Sequence, residues 1–321
     1  MKFAACLAAL FLLFACAPIS APQGPAIATP VIQGNVFVTR DGLSLPVRRW
    51  APDGAPRAII IGLHGMNDYS NAFDLPAKVW SKDGILTLAY DQRGFGGAPN
   101  PGLWAGSDAM RQDFDDFVAA ARIRYPGVPL FALGESMGGA VLLTALAEPS
   151  PPKLAGAILV SPAVWSRADM PLSYRAALFL VAHLLPGMTM TGSGLHILAS
   201  DNIPMLRAFS RDPLVIKKTR ADAVFGLVNL MDEGRQAPEH LAPNPPPILL
   251  LTGKNDQVIP REPTQGVIDA LGSRATVKTY DKGYHMLLRD LDGPARAQDV
   301  ADWVKSGGRP EGSATERSRS F

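Results

Sequence analysis

Hydrophobic positions along the chain fall into short, nearly unbroken runs separated by stretches with helical spacing. Ala58–Leu63 (AIIIGL), Ile85–Tyr90 (ILTLAY), Pro129–Leu133, Ala157–Val160 and Ile248–Leu251 are such runs. Strands this apolar are expected where both faces of a parallel sheet are covered. Between them, Met110, Phe114, Phe117 and Ala121 recur at helical spacing behind Ser107, which is positioned as an N-cap. A second helix is predicted just after Ser136, and Ala295–Val304 reads as a closing helix. Ahead of the first run, Val36–Arg40 and Leu45–Trp50 flank Asp41-Gly42, a turn pair that predicts a hairpin. Strands alternating with helices predict an α/β fold, its central sheet mostly parallel and flanked by helices.

One interval breaks the alternation. From Pro162 to about Pro247 no strand is evident, and apolar stretches such as Tyr174–Leu185 and Ala221–Met231 look helical. That is too long for a loop, so residues 162–245 are expected to form a helical cap inserted between core segments 35–161 and 246–305. Within the cap, Leu178–Leu185 is apolar nearly all round. It is expected to border an apolar channel, with Phe179 and Leu180 among its lining. The tail, 306–321, is rich in Gly, Ser, Arg and Glu and is expected to be disordered.

Composition narrows the function. The 321 residues carry 31 basic and 29 acidic side chains, a formal net charge of +2, which gives no field to hold a nucleic acid. Both cysteines, Cys6 and Cys16, fall in the opening segment, so the body can hold no disulfide framework or thiol nucleophile. That segment has Lys2 followed by an uncharged run to Ala17, short of the ~20 residues that span a bilayer, and reads as an export signal. Leu13-Phe14-Ala15-Cys16 resembles the lipobox of bacterial lipoproteins, where cleavage leaves the cysteine as a lipid-bearing N-terminus. Residues 1–15 are then the signal and 16–34, rich in Pro and Gly, a tether. The expected location is the periplasmic face of a bacterial membrane, with soluble periplasmic or secreted protein as the alternative.

Gly134-Glu135-Ser136-Met137-Gly138 matches Gly-x-Ser-x-Gly. It sits between a strand and a helix, the context that lifts a serine Oγ to the carboxyl edge of a sheet. A side chain at 134 or 138 would collide with neighbouring backbone, and the helix N-terminus at Ser136 favours a developing oxyanion. A serine nucleophile needs a base, and the base an orienting acid. Of the five histidines, His183, His196 and His240 fall in the presumed cap. His64 follows a strand ahead of the nucleophile, and His285 lies in the loop after the last strand candidate, Thr276–Tyr280. That loop opens on the same edge as Ser136, which favours His285. Asp256, on the loop after Ile248–Leu251, is the candidate acid, with Asp281 and Asp290 as alternatives.

The order Ser136…Asp256…His285 resembles the α/β-hydrolase superfamily. Within it the chain resembles the monoacylglycerol lipase/lysophospholipase-like branch of serine aminopeptidase S33 type, over about residues 36–305. The His64-Gly65 loop, Asp91-Gln92-Arg93-Gly94-Phe95-Gly96, Gly134–Gly139, Gly253…Asp256 and Tyr284-His285 carry it. The resemblance implies that the downstream histidine is the base. It also implies that the oxyanion is held by the backbone N–H groups of Met66 and Met137, and that Asp91–Phe95 is structural.

The expected activity is hydrolysis of carboxylic esters, monoacylglycerol- or lysophospholipid-like, with no cofactor or metal. The expected partners are a small-molecule or lipid ester and a membrane, reached through the N-terminal anchor and the cap. An aminopeptidase or amidase is the rival. It would need a cap carboxylate for the substrate amine, for which Asp169, Asp201, Asp222, Asp232, Glu233 and Glu239 are available. A non-catalytic lipid-docking lipoprotein is the rival from another class. Oligomeric state is not legible.

Overall fold

Backbone pairing starts earlier in the chain than the hydrophobic pattern indicates. The computed structural model describes residues 18–192, 194 and 197–309. Strand β1 (Val31–Gln33) pairs antiparallel with β2 (Val36–Val38), which pairs with β3 (Ser44–Trp50) across the Asp41-Gly42 turn. Upstream, the Ala21 N–H donates to the Trp104 carbonyl at 2.8 Å, and the Ile27 and Ala28 N–H groups to the Arg40 carbonyl at 2.7 and 2.9 Å. The described part of the expected tether, from residue 18, is therefore laid onto the body. Backbone groups hold it, which is why it shows no apolar period.

The apolar runs become β4 (Ala58–Leu63), β5 (Ile85–Tyr90), β6 (Leu130–Glu135) and β7 (Gly156–Val160), every residue of them buried. With β10 (Ile248–Gly253) and β11 (Ala275–Tyr280), described below the cap, they complete a nine-stranded sheet. Its order is β1-β2-β3-β5-β4-β6-β7-β10-β11. It is parallel from β5 onward, and β3 joins β5 antiparallel. Helices cover both faces. On one lie α1 (Asp74–Lys82), which supplies Ala77 and Trp80, and the closing helix, which supplies Ala297 and Val300. On the other are α2 (Ser107–Arg124), with Phe114 and Phe117, and α3 (Met137–Leu146), buried along its whole length. Each such large side chain taken from water contributes about 1.5–3 kcal/mol. Gly106 rather than Ser107 caps α2, and no side chain bonds its end.

The cap interval holds α4 (Leu172–Leu184), α5 (Ile203–Arg211) and α6 (Ala221–His240). It is not strand-free: β8 (Thr189–Met190) pairs antiparallel with β9 (Thr219–Arg220), a ribbon of two-residue strands too short to leave a pattern. Only Ala182 of α4 is buried. Its Leu172, Phe179, Leu180 and Leu184 are more than half exposed, so Phe179 and Leu180 face away from the role expected of them. The chain returns through β10, α7 (Arg261–Leu271), β11 and α8 (Gly293–Lys305). Registers Leu63↔Gly134, Glu135↔Val160 and Gly253↔Tyr280 align the carboxyl ends of these strands, and the loops beyond them open on one edge.

Candidate active site

The elbow is built by steric exclusion. Ser136 sits at φ 54°, ψ −116°, a left-handed conformation that a side chain adopts only under constraint. A Cβ at Gly134 would strike the Gly138 carbonyl, and one at Gly138 the Leu63 carbonyl, so strand, turn and helix close only with glycine there. The Ser136 N–H donates to the Val160 carbonyl at 3.0 Å, and its own carbonyl accepts from Ala140 and Ala163. Its Oγ has no hydrogen-bond partner among the described residues.

Of the acid candidates, the structure brings Asp256 to His285. Asp256 Oδ2 accepts from His285 Nδ1 at 2.9 Å, with both side chains buried. The other carboxylate oxygen, Oδ1, accepts from the Val258 and Ile259 N–H groups at 2.8 and 3.0 Å, which fixes the orientation of the acid. Asp281 is exposed and paired with Lys254. Asp290 is no helix cap: it is buried, accepts from Ser200 Oγ and the Tyr284 N–H, and pairs with Arg296. It braces the histidine loop from behind.

His64 is occupied. Its Nε2 accepts from the Gln92 N–H at 2.9 Å, and its Nδ1 lies 2.9 Å from the Gly65 carbonyl, a pairing that assigns the proton to Nδ1. Burial pushes the imidazole below its ordinary range. His183 stacks on Phe179 in the cap, His240 ends α6, and His196, like Cys6, Cys16 and the segment 1–15, lies outside the described residues. Arg93 pairs with Asp41 and Asp113, and Asp91 accepts from the Ser70 and Gly97 N–H groups, so the Asp91–Phe95 turn is a structural brace.

Two backbone N–H groups lie on segments beside the elbow. Met137 opens α3, where an N–H has no intrahelical acceptor. The Met66 N–H donates to no group among the described residues. Its loop passes close to Ser136, since a Cβ at Gly65 would lie 3.3 Å from Ser136 Cβ.

Ser136 and His285 line one cavity of about 780 Å³. Met66, Met170, Leu178, Val181, Leu227 and Met231 give it apolar walls. Helix α4 thus turns Leu178 and Val181 inward while Phe179 and Leu180 face solvent. The acidic residues of the lining are Asp68 and Glu135, and both reach Arg289. No sequence pattern foretold this trio, which brings together the end of β6 and two separate loops. None of the six cap carboxylates that an amine would need lines the cavity. Asp222 is held by Arg220, Asp232 by Arg167 and Glu233 by Arg111. Among the described residues no group of His, Cys, Asp and Glu is placed to hold a metal ion.

The family model for "Serine aminopeptidase, S33" matches residues 54–292, from ahead of β4 to the start of α8. The chain belongs to that family. It is a carboxylic ester hydrolase with an α/β-hydrolase fold. The hydrolase is similar to the monoglyceride lipase of Homo sapiens, 27% identical over 281 residues, 85% of this chain and 89% of the relative. It is also 26% identical over 274 residues to the monoacylglycerol lipase of Mycolicibacterium smegmatis, 84% of this chain and 96% of that one. Among solved structures, a soluble variant of monoglyceride lipase from Saccharomyces cerevisiae, in complex with a substrate analogue, superposes with a TM-score of 0.71. It covers 90% of this chain and 100% of that one at 19% identity, a likeness of fold.

Proposed function

We propose that the enzyme cleaves monoacylglycerol-like lipid esters, and lysophospholipids of similar shape, through an acyl-enzyme on Ser136. One observation carries the reading: His285, bonded to Asp256, and the strained Ser136 border the same apolar cavity. Ser136 Oγ attacks the ester carbonyl as its proton passes to His285 Nε2, which has no other partner among the described residues. Asp256 holds the imidazole by Nδ1 and stabilises the cation. The N–H groups of Met66 and Met137 receive the oxyanion. Collapse expels the alcohol, which takes the proton from His285. Water, deprotonated by the same nitrogen, then releases the carboxylic acid.

The cavity supports an acyl chain of intermediate to long length, because its volume and apolar walls fall in the range of sites that bury a small ligand. The relatives named as monoglyceride lipases support a glyceryl leaving group. The aminopeptidase alternative lacks a cap carboxylate in the lining. A panel of p-nitrophenyl esters, monoacylglycerols, lysophospholipids and aminoacyl amides tests the substrate. Monoacylglycerol turnover far above amide turnover is expected, and preference for the amide would reverse the reading.

We place the enzyme at a membrane through lipidation of Cys16. Among the described residues no helix is long and apolar enough to cross a bilayer. The docked arm from residue 18 supports a close attachment, and the exposed face of α4 gives the body apolar residues to lay on lipid. A fatty-acid label should tag the full chain, and Cys16→Ser should release it from the membrane fraction. An unlabelled, soluble chain would leave plain export.

A further inference from the structure

Arg289 follows His285 by four residues, at the end of a 3-10 turn (Leu287–Arg289). Its guanidinium is buried, with the side chain 8% exposed. Nη1 lies 2.7 Å from Asp68 Oδ2, and Nη2 lies 3.2 and 3.3 Å from the Glu135 carboxylate oxygens. The Phe209 ring of α5 closes over it at 5.6 Å. Each member belongs to a different segment of the site. Asp68 lies two residues beyond Met66, Glu135 precedes Ser136, and Arg289 is carried by the loop of His285.

A buried charged trio is weak evidence for stability, because taking three ions from water costs several kcal/mol apiece and apolar replacements often serve as well. The trio carries one positive and two negative charges in the wall of the cavity. Its retention there needs another explanation, and its connectivity supplies one. We infer that Arg289 is a positioning residue that ties the oxyanion loop, the nucleophile elbow and the histidine loop into one rigid unit. This rests on the Ser136–His285–Asp256 assignment and extends it. The guanidinium is suited to the task because its planar fork reaches two carboxylates at once, whereas an ammonium acts as one point charge. Burial pushes the Glu135 carboxyl up, and the Arg289 guanidinium beside it opposes that rise. Misplacement of reacting groups by about 1 Å costs on the order of 10²-fold in rate.

The test uses the full chain, p-nitrophenyl butyrate turnover, the rate of fluorophosphonate labelling at Ser136, and thermal melting. Arg289→Met should lower kcat and labelling rate about 100-fold with KM changed less than about threefold, and Arg289→Lys should recover about tenfold of that loss. Arg289→Met also strands two buried carboxylates and can fail to fold. The triple variant Asp68→Asn, Glu135→Gln, Arg289→Met leaves no buried charge in the trio, and it should melt at or above the temperature of the unaltered chain while remaining about 100-fold slow. A triple variant within about threefold of the unaltered rate overturns the inference, as does a folded Arg289→Met chain with unchanged kcat. An unaltered chain that labels at Ser136 but cleaves no ester refutes the ester reading alone, since labelling rates still report the positioning. No labelling at Ser136 refutes both.

Discussion

Two histidine loops lie on the carboxyl edge of the same sheet, after β4 and after β11. Both rings are buried, at 0% and 6% exposure, yet they have opposite surroundings. The His64 ring is engaged at both nitrogens by backbone groups, from Gln92 and Gly65. The His285 ring has one nitrogen on a carboxylate and the other without a partner, at a cavity it shares with Ser136. A ring with both nitrogens engaged by amides can shape a loop but has no vacancy for a proton in transit. A ring held by an anion at one end and open at the other suits the base that the proposed reaction needs. The difference is one carboxylate, Asp256, itself fixed by two backbone N–H groups.

Substitution should separate the two loops by orders of magnitude. His285→Ala should lower kcat by 10⁴-fold or more, measured on a short p-nitrophenyl ester with melting temperature retained. Asp256→Asn should cost on the order of 10⁴-fold, since the amide no longer selects the tautomer. A loss under about tenfold would return the role to Asp281 or Asp290. His64→Asn should do the reverse, lowering unfolding free energy by about 1–3 kcal/mol as buried partners are stranded, while kcat stays within about tenfold.

A pH titration sharpens the contrast. Burial holds the His64 imidazole below its ordinary range, and the carboxylates of Asp68 and Asp91 oppose this only in part. Below pH ~6.5 the unfolded chain therefore binds a proton that the folded chain refuses. The stability His64 contributes is present above that pH and is lost as pH falls through it. Denaturant unfolding between pH 5 and 7.5, pH values chosen to span the ordinary histidine range of about 6.5, should show a steeper acid loss in the unaltered chain than in His64→Asn. The smallest effect lies in the cap. Each methylene of the acyl chain should add up to ~0.8 kcal/mol of transition-state binding, and Leu178→Ser with Val181→Ser should flatten that climb. Phe179→Ser with Leu180→Ser should leave it intact on dissolved esters, since those side chains face solvent.

What the sequence discloses depends on how local the cause is. Strands β4–β7 and β10 are readable because burial on both faces demands apolar residues throughout. The elbow is readable because its glycines stand at fixed spacing between a strand and a helix, although the carbonyl that Gly138 must clear belongs to Leu63 on a neighbouring strand. His285 is favoured over His64 by position alone. Asp256 is legible as the candidate acid because its loop runs off a buried strand, whereas its bond to His285 and the pairing of Asp290 with Arg296 are set by tertiary geometry. The docked arm was invisible because amide bonds to Trp104 and Arg40 ask for no particular side chain. Nor does local spacing signal Arg289, Asp68 and Glu135, which meet only when the sheet brings the end of β6 beside two loops. In α4, apolar residues all round foretold contact with something apolar, but the side turned to the cavity was set by tertiary packing.

The central claim is that Ser136 carries the acyl group, activated by the open nitrogen of His285. Its most direct test is to stop the reaction of p-nitrophenyl octanoate with the full chain in acid during turnover and map the adduct by peptide mass. The account predicts one octanoyl group, on Ser136, that does not form in Ser136→Ala or His285→Ala. An adduct on any other residue, or full turnover by Ser136→Ala, would contradict it.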